Sequence, residues 1–209
     1  MNENKVKESD KEKYLGDYLT KYANPHATIE DRNQKGHGIL SNMKAILDEI
    51  PLGNRRLEIG LTLRESWFLN GTLYNSEVWC AYLNKDLKVL ELLDKKILRL
   101  ILGAHSKVPC EMLYLESGAL PLRHVIIVRR LSYLQTILKS HEDEIIRKIY
   151  SAQKRNPCKG DWIKLVEVDM KEIDMNIQDE YIEQMNEGYF KEMIQHKVRQ
   201  HAFKELKLL

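Results

Sequence analysis

The chain has 209 residues, 43% of them hydrophobic and 31% charged, and its net charge at pH 7 is +2. That composition supports a real core under a wet surface in one or two domains, and the small net charge excludes a uniformly basic protein. Cys80, Cys110 and Cys158 stand far apart with no CxxC pair, which argues against a disulfide framework or a zinc ribbon and leaves reduced, intracellular thiols as the expectation.

Residues 1–13, MNENKVKESDKEK, are charged throughout; they do not fit a signal peptide and are expected to fray as a disordered segment. KYLGDYLTKY follows and reads as a short strand or hairpin over 14–23, ended by Asn24-Pro25. Thr28-x-x-Asp31 has the form of a capping box and opens a helix. Its seam at 29, 32, 36, 39, 43, 46 and 50 changes character halfway: Ile39, Met43, Ile46 and Ile50 are apolar, whereas Arg32 and Gly36 are not core residues by type. The glycines predict either a kink or close backbone approach, or a helix that starts only after Gly38.

Pro51-Leu52-Gly53-Asn54 predicts a turn, and Asn70-Gly71 the end of the next helix. Trp67, Phe68, Leu73, Tyr74, Val78 and Trp79 supply aromatic and apolar mass for a core. Residues 84–102 give the clearest helix. Leu87, Leu90, Leu93, Ile97, Leu100 and Ile101 form one face and Leu92, Leu98 and Leu102 the other, so this helix is expected at the centre of a bundle, closed by Gly103. Further helices start near Pro109, Pro121, Glu142 and Asp161, and a last one carries Tyr189, Phe190, Met193, Ile194 and Val198. No apolar run reaches the length of a membrane span. The expected fold is mainly α, a helical bundle with a short β element near the N-terminus.

Little in the sequence points to catalysis. The acid pairs Glu30-Asp31, Asp48-Glu49, Glu142-Asp143 and Asp179-Glu180 suit helix starts and solvated faces rather than a two-metal centre. His196 and His201 are five apart, a poor helical metal spacing, and the other histidines are isolated, so no metal, cofactor or catalytic residue is expected. Lys35-Gly-His-Gly38 lacks the GxxxxGK[ST] of a phosphate loop. Charge is more informative: residues 121–160 carry nine Lys/Arg against three acids, a local +6, and residues 161–187 two Lys against nine acids, a local −7. Basic residues near glycines or sharing a helix face suit nucleic-acid phosphates, which singles out Arg32, Lys35, Gly36 and Lys44, and Arg123, Arg129 and Arg130.

Several motifs in a fixed order cover roughly residues 11–165: KYLG at 13–16, TI-x-DR-x-x-KG at 28–36, LTLRES, NGTLYNSEVW, LE-x-x-D-x-x-x-LR-x-ILGAHSK-x-P, LYLESGALPLR, RRLSYL and AQK…KGDW. Together they resemble the C-terminal part of non-LTR retrotransposon reverse transcriptases. The resemblance implies that Tyr14, Leu15 and Gly16 belong to a primer-grip hairpin at the end of the palm. It implies a thumb-like bundle over 24–104, a helical thumb extension over 105–156 and a C-terminal helical segment over 157–209. The family's aspartate-rich YxDD box is missing, so the chain is expected to hold an RNA–DNA or DNA template–primer duplex, with little regard to sequence, but not to polymerise alone; palm and fingers would act in trans. The rival reading is a helical protein-interaction module, using the acidic 161–187 segment.

Overall fold

The computed structural model describes residues 9–21, 25–79, 84–158 and 160–207. It is mainly helical, with one short antiparallel hairpin near the N-terminus. Strands β1 (Lys11–Tyr14) and β2 (Asp17–Thr20) pair Tyr14 with Asp17 and Lys11 with Thr20. Leu15 and Gly16 make the connecting turn with φ of 47° and 90°, the positive values that a two-residue hairpin loop demands. The expectation of fraying for residues 1–13 is corrected at its end, where Lys11–Lys13 are strand; residues 1–8, like Tyr22 to Asn24, lie outside the described residues.

Helix α1 (His26–Asp48) runs unbroken through both glycines and starts two residues before Thr28. Thr28 is not its cap: the hydroxyl accepts a hydrogen bond from the Tyr18 amide at 2.8 Å and so holds β2 to α1. After the turn at 51–53, α2 (Asn54–Leu63) passes through a π-helical stretch, Arg64–Leu69, into a final turn, α3 (Asn70–Thr72). Asn70-Gly71 therefore does not end the helix. Thr72 donates back to the Phe68 carbonyl at 2.6 Å, and Arg129 from a later helix bonds the carbonyls of Leu69 and Leu73. A 3-10 turn, Ser76–Val78, follows.

Helix α4 (Asn84–Leu102) buries Leu87, Leu90, Leu93, Ile97, Leu98 and Ile101. Leu92 is 51% exposed and Val89 is exposed too, so α4 is buried on one side rather than all round. Backbones approach closely on that side. A Cβ on Gly36 of α1 would meet Leu93 Cδ2 at 2.6 Å, and one on Gly60 of α2 would meet Ile101 at 2.7 Å. The change of character along the α1 seam is thus a close helix crossing, which answers the glycine question in favour of close approach. Phe68, Leu73 and Trp79 join this first core, whereas Trp67, Tyr74 and Val78 stay exposed. Arg56, buried, donates to the carbonyls of Leu47, Ile50, Leu100 and Ile101, and thereby caps the C-termini of α1 and α4 with one guanidinium.

Helix α5 (Cys110–Ser117), closed by Gly118 at φ 66°, leads to α6 (Leu122–Lys139). Leu122 and Ile126 of α6 belong to the first core; Ile127, Leu131, Leu134, Ile137 and Leu138 belong to a second. The rest of the second core comes from α7 (Ile145–Arg155), α8 (Trp162–Glu172), α9 (Asp179–Gln184) and α10 (Glu187–Lys207), with Ile173 and Met175 from the segment after α8. The division between the two cores runs along α6.

Leu93→Ala should destabilise the protein by about 2–5 kcal/mol in chemical denaturation, since the site is fully packed beneath Gly36; a shift under roughly 0.5 kcal/mol would mean that this crossing is not the core.

Burial pushes the His124 imidazole, near the start of α6, down to about 4, against a smaller opposing pull from Glu205; His201 and Arg123 push the same way as burial. The unfolded chain then binds more protons between pH 6.5 and 4. Stability present above pH 6.5 is lost as pH falls through that window, by on the order of 3 kcal/mol. His124→Gln should flatten the profile there in acid-titrated melts; an unchanged profile would contradict the assignment.

Candidate nucleic-acid interface

The hairpin is mounted rigidly on the bundle. Arg32, nearly two turns into α1, donates through Nη2 to the Gly16 carbonyl at 2.9 Å and to Asp17 Oδ1 at 3.0 Å. Asn75 donates to the other Asp17 oxygen at 2.6 Å, and Tyr74 lies under the Arg32 guanidinium with its ring centre at 5.4 Å. The turn is thus clamped from behind by its own carbonyl and by Asp17. Its other side is open: Tyr14 is 62% and Leu15 72% exposed. A leucine at positive φ is uncommon and strained, and the surrounding contacts hold it there.

Basic side chains gather on the face of the hairpin that carries Lys13 and Tyr18. Lys13 reaches Asp31 at 3.1 Å and Lys35 reaches the same carboxylate at 2.8 Å. The hydrogen bond from Lys35 is the first cause, and that from Lys13 a further one, of an Asp31 carboxyl held below the usual range. Lys11 and Lys13 both lie over the Tyr18 ring, at 4.9 and 5.1 Å.

No family model, curated protein or solved structure matches the chain. The site is therefore read from its own geometry.

The residues singled out in the sequence divide sharply in that geometry. Tyr14 and Leu15 are exposed at the tip, Lys35 is exposed and paired with Asp31, and Gly16 faces inward to Arg32. Arg32, only 6% exposed, anchors the hairpin and is not available to a phosphate. Gly36 is buried against Leu93, so no sugar–phosphate surface reaches it. Lys44 is exposed but nine residues from Lys35, about half a turn out of phase, so the two flank opposite edges of the buried stripe. Arg32, Lys35 and Lys44 do not form one concave face.

The second basic group is corrected as well. Arg130, 1% exposed, pairs with Asp169 of α8. Burial raises the Asp169 carboxyl, with Arg130 opposing that shift. Arg129 is half-buried and bonds carbonyls at the end of α3; Arg123 is exposed but paired with Glu172. Arg147 meets Glu183 at 3.2 Å, and Lys154 meets Asp179. Among the described residues, the positive 121–160 and negative 161–187 segments thus pair with one another at several points within one helical unit. Sequence reasoning missed Asp17, Thr28 and Asn75, which position the hairpin; polar residues of this kind carry no periodic signal.

Among the described residues, one group with metal-ligating side chains comes together, His124, Glu172 and His201, from α6, α8 and α10. No helix among them is long and apolar enough to cross a membrane.

Arg32→Ala should cost about 2 kcal/mol, because a buried guanidinium with a charged partner is removed and Asp17 loses its ion pair, whereas Lys44→Ala should stay within about 0.5 kcal/mol. Equal, small effects in urea denaturation would show that Arg32 is not the anchor.

Proposed function

We propose that this chain is a thumb-like, duplex-holding module of non-LTR reverse-transcriptase type, which grips a template–primer through its hairpin tip and does not itself polymerise. The observation that carries the reading is the clamped hairpin. Arg32 fixes the turn carbonyl from inside, Tyr14 and Leu15 stand exposed at the tip, and Lys11, Lys13 and Lys35 gather around Tyr18 and Asp31 on the neighbouring face. A strand pair held this rigidly presents its tip at one fixed position relative to the bundle, as a grip on a primer terminus requires. The order of motifs along residues 11–165 supports the same reading.

Within it, the roles differ from those implied by charge alone. Arg32 is a positioning residue. Lys11, Lys13 and Lys35 supply the phosphate attraction, and Tyr14 and Leu15 the apolar contact with sugar or base. Phosphate contacts carry no sequence information, so binding is expected to tolerate any duplex sequence and to weaken with salt. Palm and fingers would be supplied in trans or by a longer polypeptide. The charge complementarity of the 121–187 region removes the motive for an acidic docking segment, which disfavours the protein-interaction alternative.

Binding of an RNA–DNA hybrid, followed by fluorescence anisotropy across a salt series, tests the proposal. Replacing Lys11, Lys13 and Lys35 together by Ala should reduce the magnitude of the log K against log salt slope by up to about three, with circular dichroism unchanged. An unaltered slope in that folded variant, or no hybrid binding by the unmodified chain at low salt, would overturn it.

A further inference from the structure

Where α6, α8 and α10 meet, His124, Glu172 and His201 come together, and Glu205 lies against the two histidines. His124 Nε2 lies 3.4 Å from His201 Nδ1 and 3.4 Å from Glu205 Oε2, and the latter two atoms are 4.0 Å apart. Glu172 brings a carboxylate oxygen within 4.8 Å of a ring nitrogen of each histidine. Two imidazole nitrogens facing each other at that distance make a poor hydrogen bond, which prefers about 2.9 Å. The same spacing suits a tetrahedral ion, whose bonds of about 2.05 Å place its ligands about 3.3 Å apart. The equidistant point in the plane of the three atoms lies about 2.1 Å from each, and a tetrahedral ion just off that plane would draw His201 and Glu205 closer than their 4.0 Å.

Two further features point to a ligand. Glu172 Oε1 is buried with no hydrogen-bond partner. A cleft of about 430 Å³, lined by Glu91, Cys110, Tyr114, His124 and Glu205, opens beside the cluster and gives an ion a way in. We propose that His124, His201 and Glu205, completed by Glu172, bind a divalent transition metal of the zinc class.

The donor set selects the metal. Two neutral imidazoles with carboxylates suit zinc and its neighbours, whereas magnesium and calcium prefer all-oxygen shells. His201 and Glu205 are four apart on α10 and present adjacent side chains, while His124 reaches them from 77 residues earlier in the chain. The ion would fasten α10 to α6 and α8, a crosslink between the last helix and the helix that both cores share. The proposal does not depend on the nucleic-acid reading.

The test is titration of the full chain with Zn²⁺ in a non-coordinating buffer, alongside Co²⁺ as a spectroscopic probe. One equivalent should bind, Co²⁺ should give the intense visible bands of a tetrahedral site, and Zn²⁺ should raise the melting temperature in a manner reversed by EDTA. His201→Gln should weaken Zn²⁺ binding by about 100-fold and abolish the thermal shift, whereas His196→Gln, at an exposed position on the same helix, should change neither. Glu205→Gln, at a half-exposed position, should also weaken binding. The proposal falls if His201→Gln and Glu205→Gln bind Zn²⁺ as the unmodified chain does, if His196→Gln loses binding equally, or if the unmodified chain takes up no Zn²⁺.

Discussion

The ion pair between Arg64 and Asp94 is the constraint around which the first core is arranged. Arg64 donates to both Asp94 oxygens, at 2.6 and 2.9 Å, and the pair is almost wholly sealed from water. Tyr114 of α5 donates to Asp94 at 3.2 Å, and Arg64 also reaches the Leu120 carbonyl at 2.9 Å. One buried charge pair therefore ties together the π-helical stretch, α4, α5 and the approach to α6. Burial first, and then Asp94, push the Tyr114 hydroxyl well above its usual range, so it stays a donor. Removing one partner of such a pair leaves an uncompensated charge and typically costs 3–5 kcal/mol, which makes the relative placement of these four segments close to fixed.

Three of the arginines finish helices. Arg56 closes α1 and α4, Arg129 closes α3, and Arg147 bonds the last carbonyls of α6. A guanidinium offers five donors in a rigid fork, so one side chain can satisfy carbonyls from two helices at once, which lysine cannot do with the same geometry. This is why a count of basic residues misjudges the surface: several of the cations are already engaged inside.

Much of the architecture was legible because it rests on periodic apolar residues. Helix α4, its closure at Gly103, the α5 closure at Gly118 and the hairpin near Gly16 all follow from spacing and glycine placement. Gly36 was visible as an anomaly, although its cause, the approach of Leu93, lies 57 positions away in the chain and has no local trace. Arg32, Arg129 and Arg130 looked like surface cations because the carboxylates and carbonyls that hold them are remote in sequence. His124 and His201 were each solitary for the same reason. Polar partnerships are set by tertiary contact, and only the apolar repeat announces itself along the chain.

Helix α6 gives its first turns to one core and its remaining length to the other. Neither half of the molecule can therefore melt while the other keeps α6 fully covered. Exposing one set of its apolar residues strips a wall from whichever core remains. A shared helix of this kind couples two hydrophobic centres into one cooperative unit and transmits a load on the C-terminal helices directly to the elements that support the hairpin.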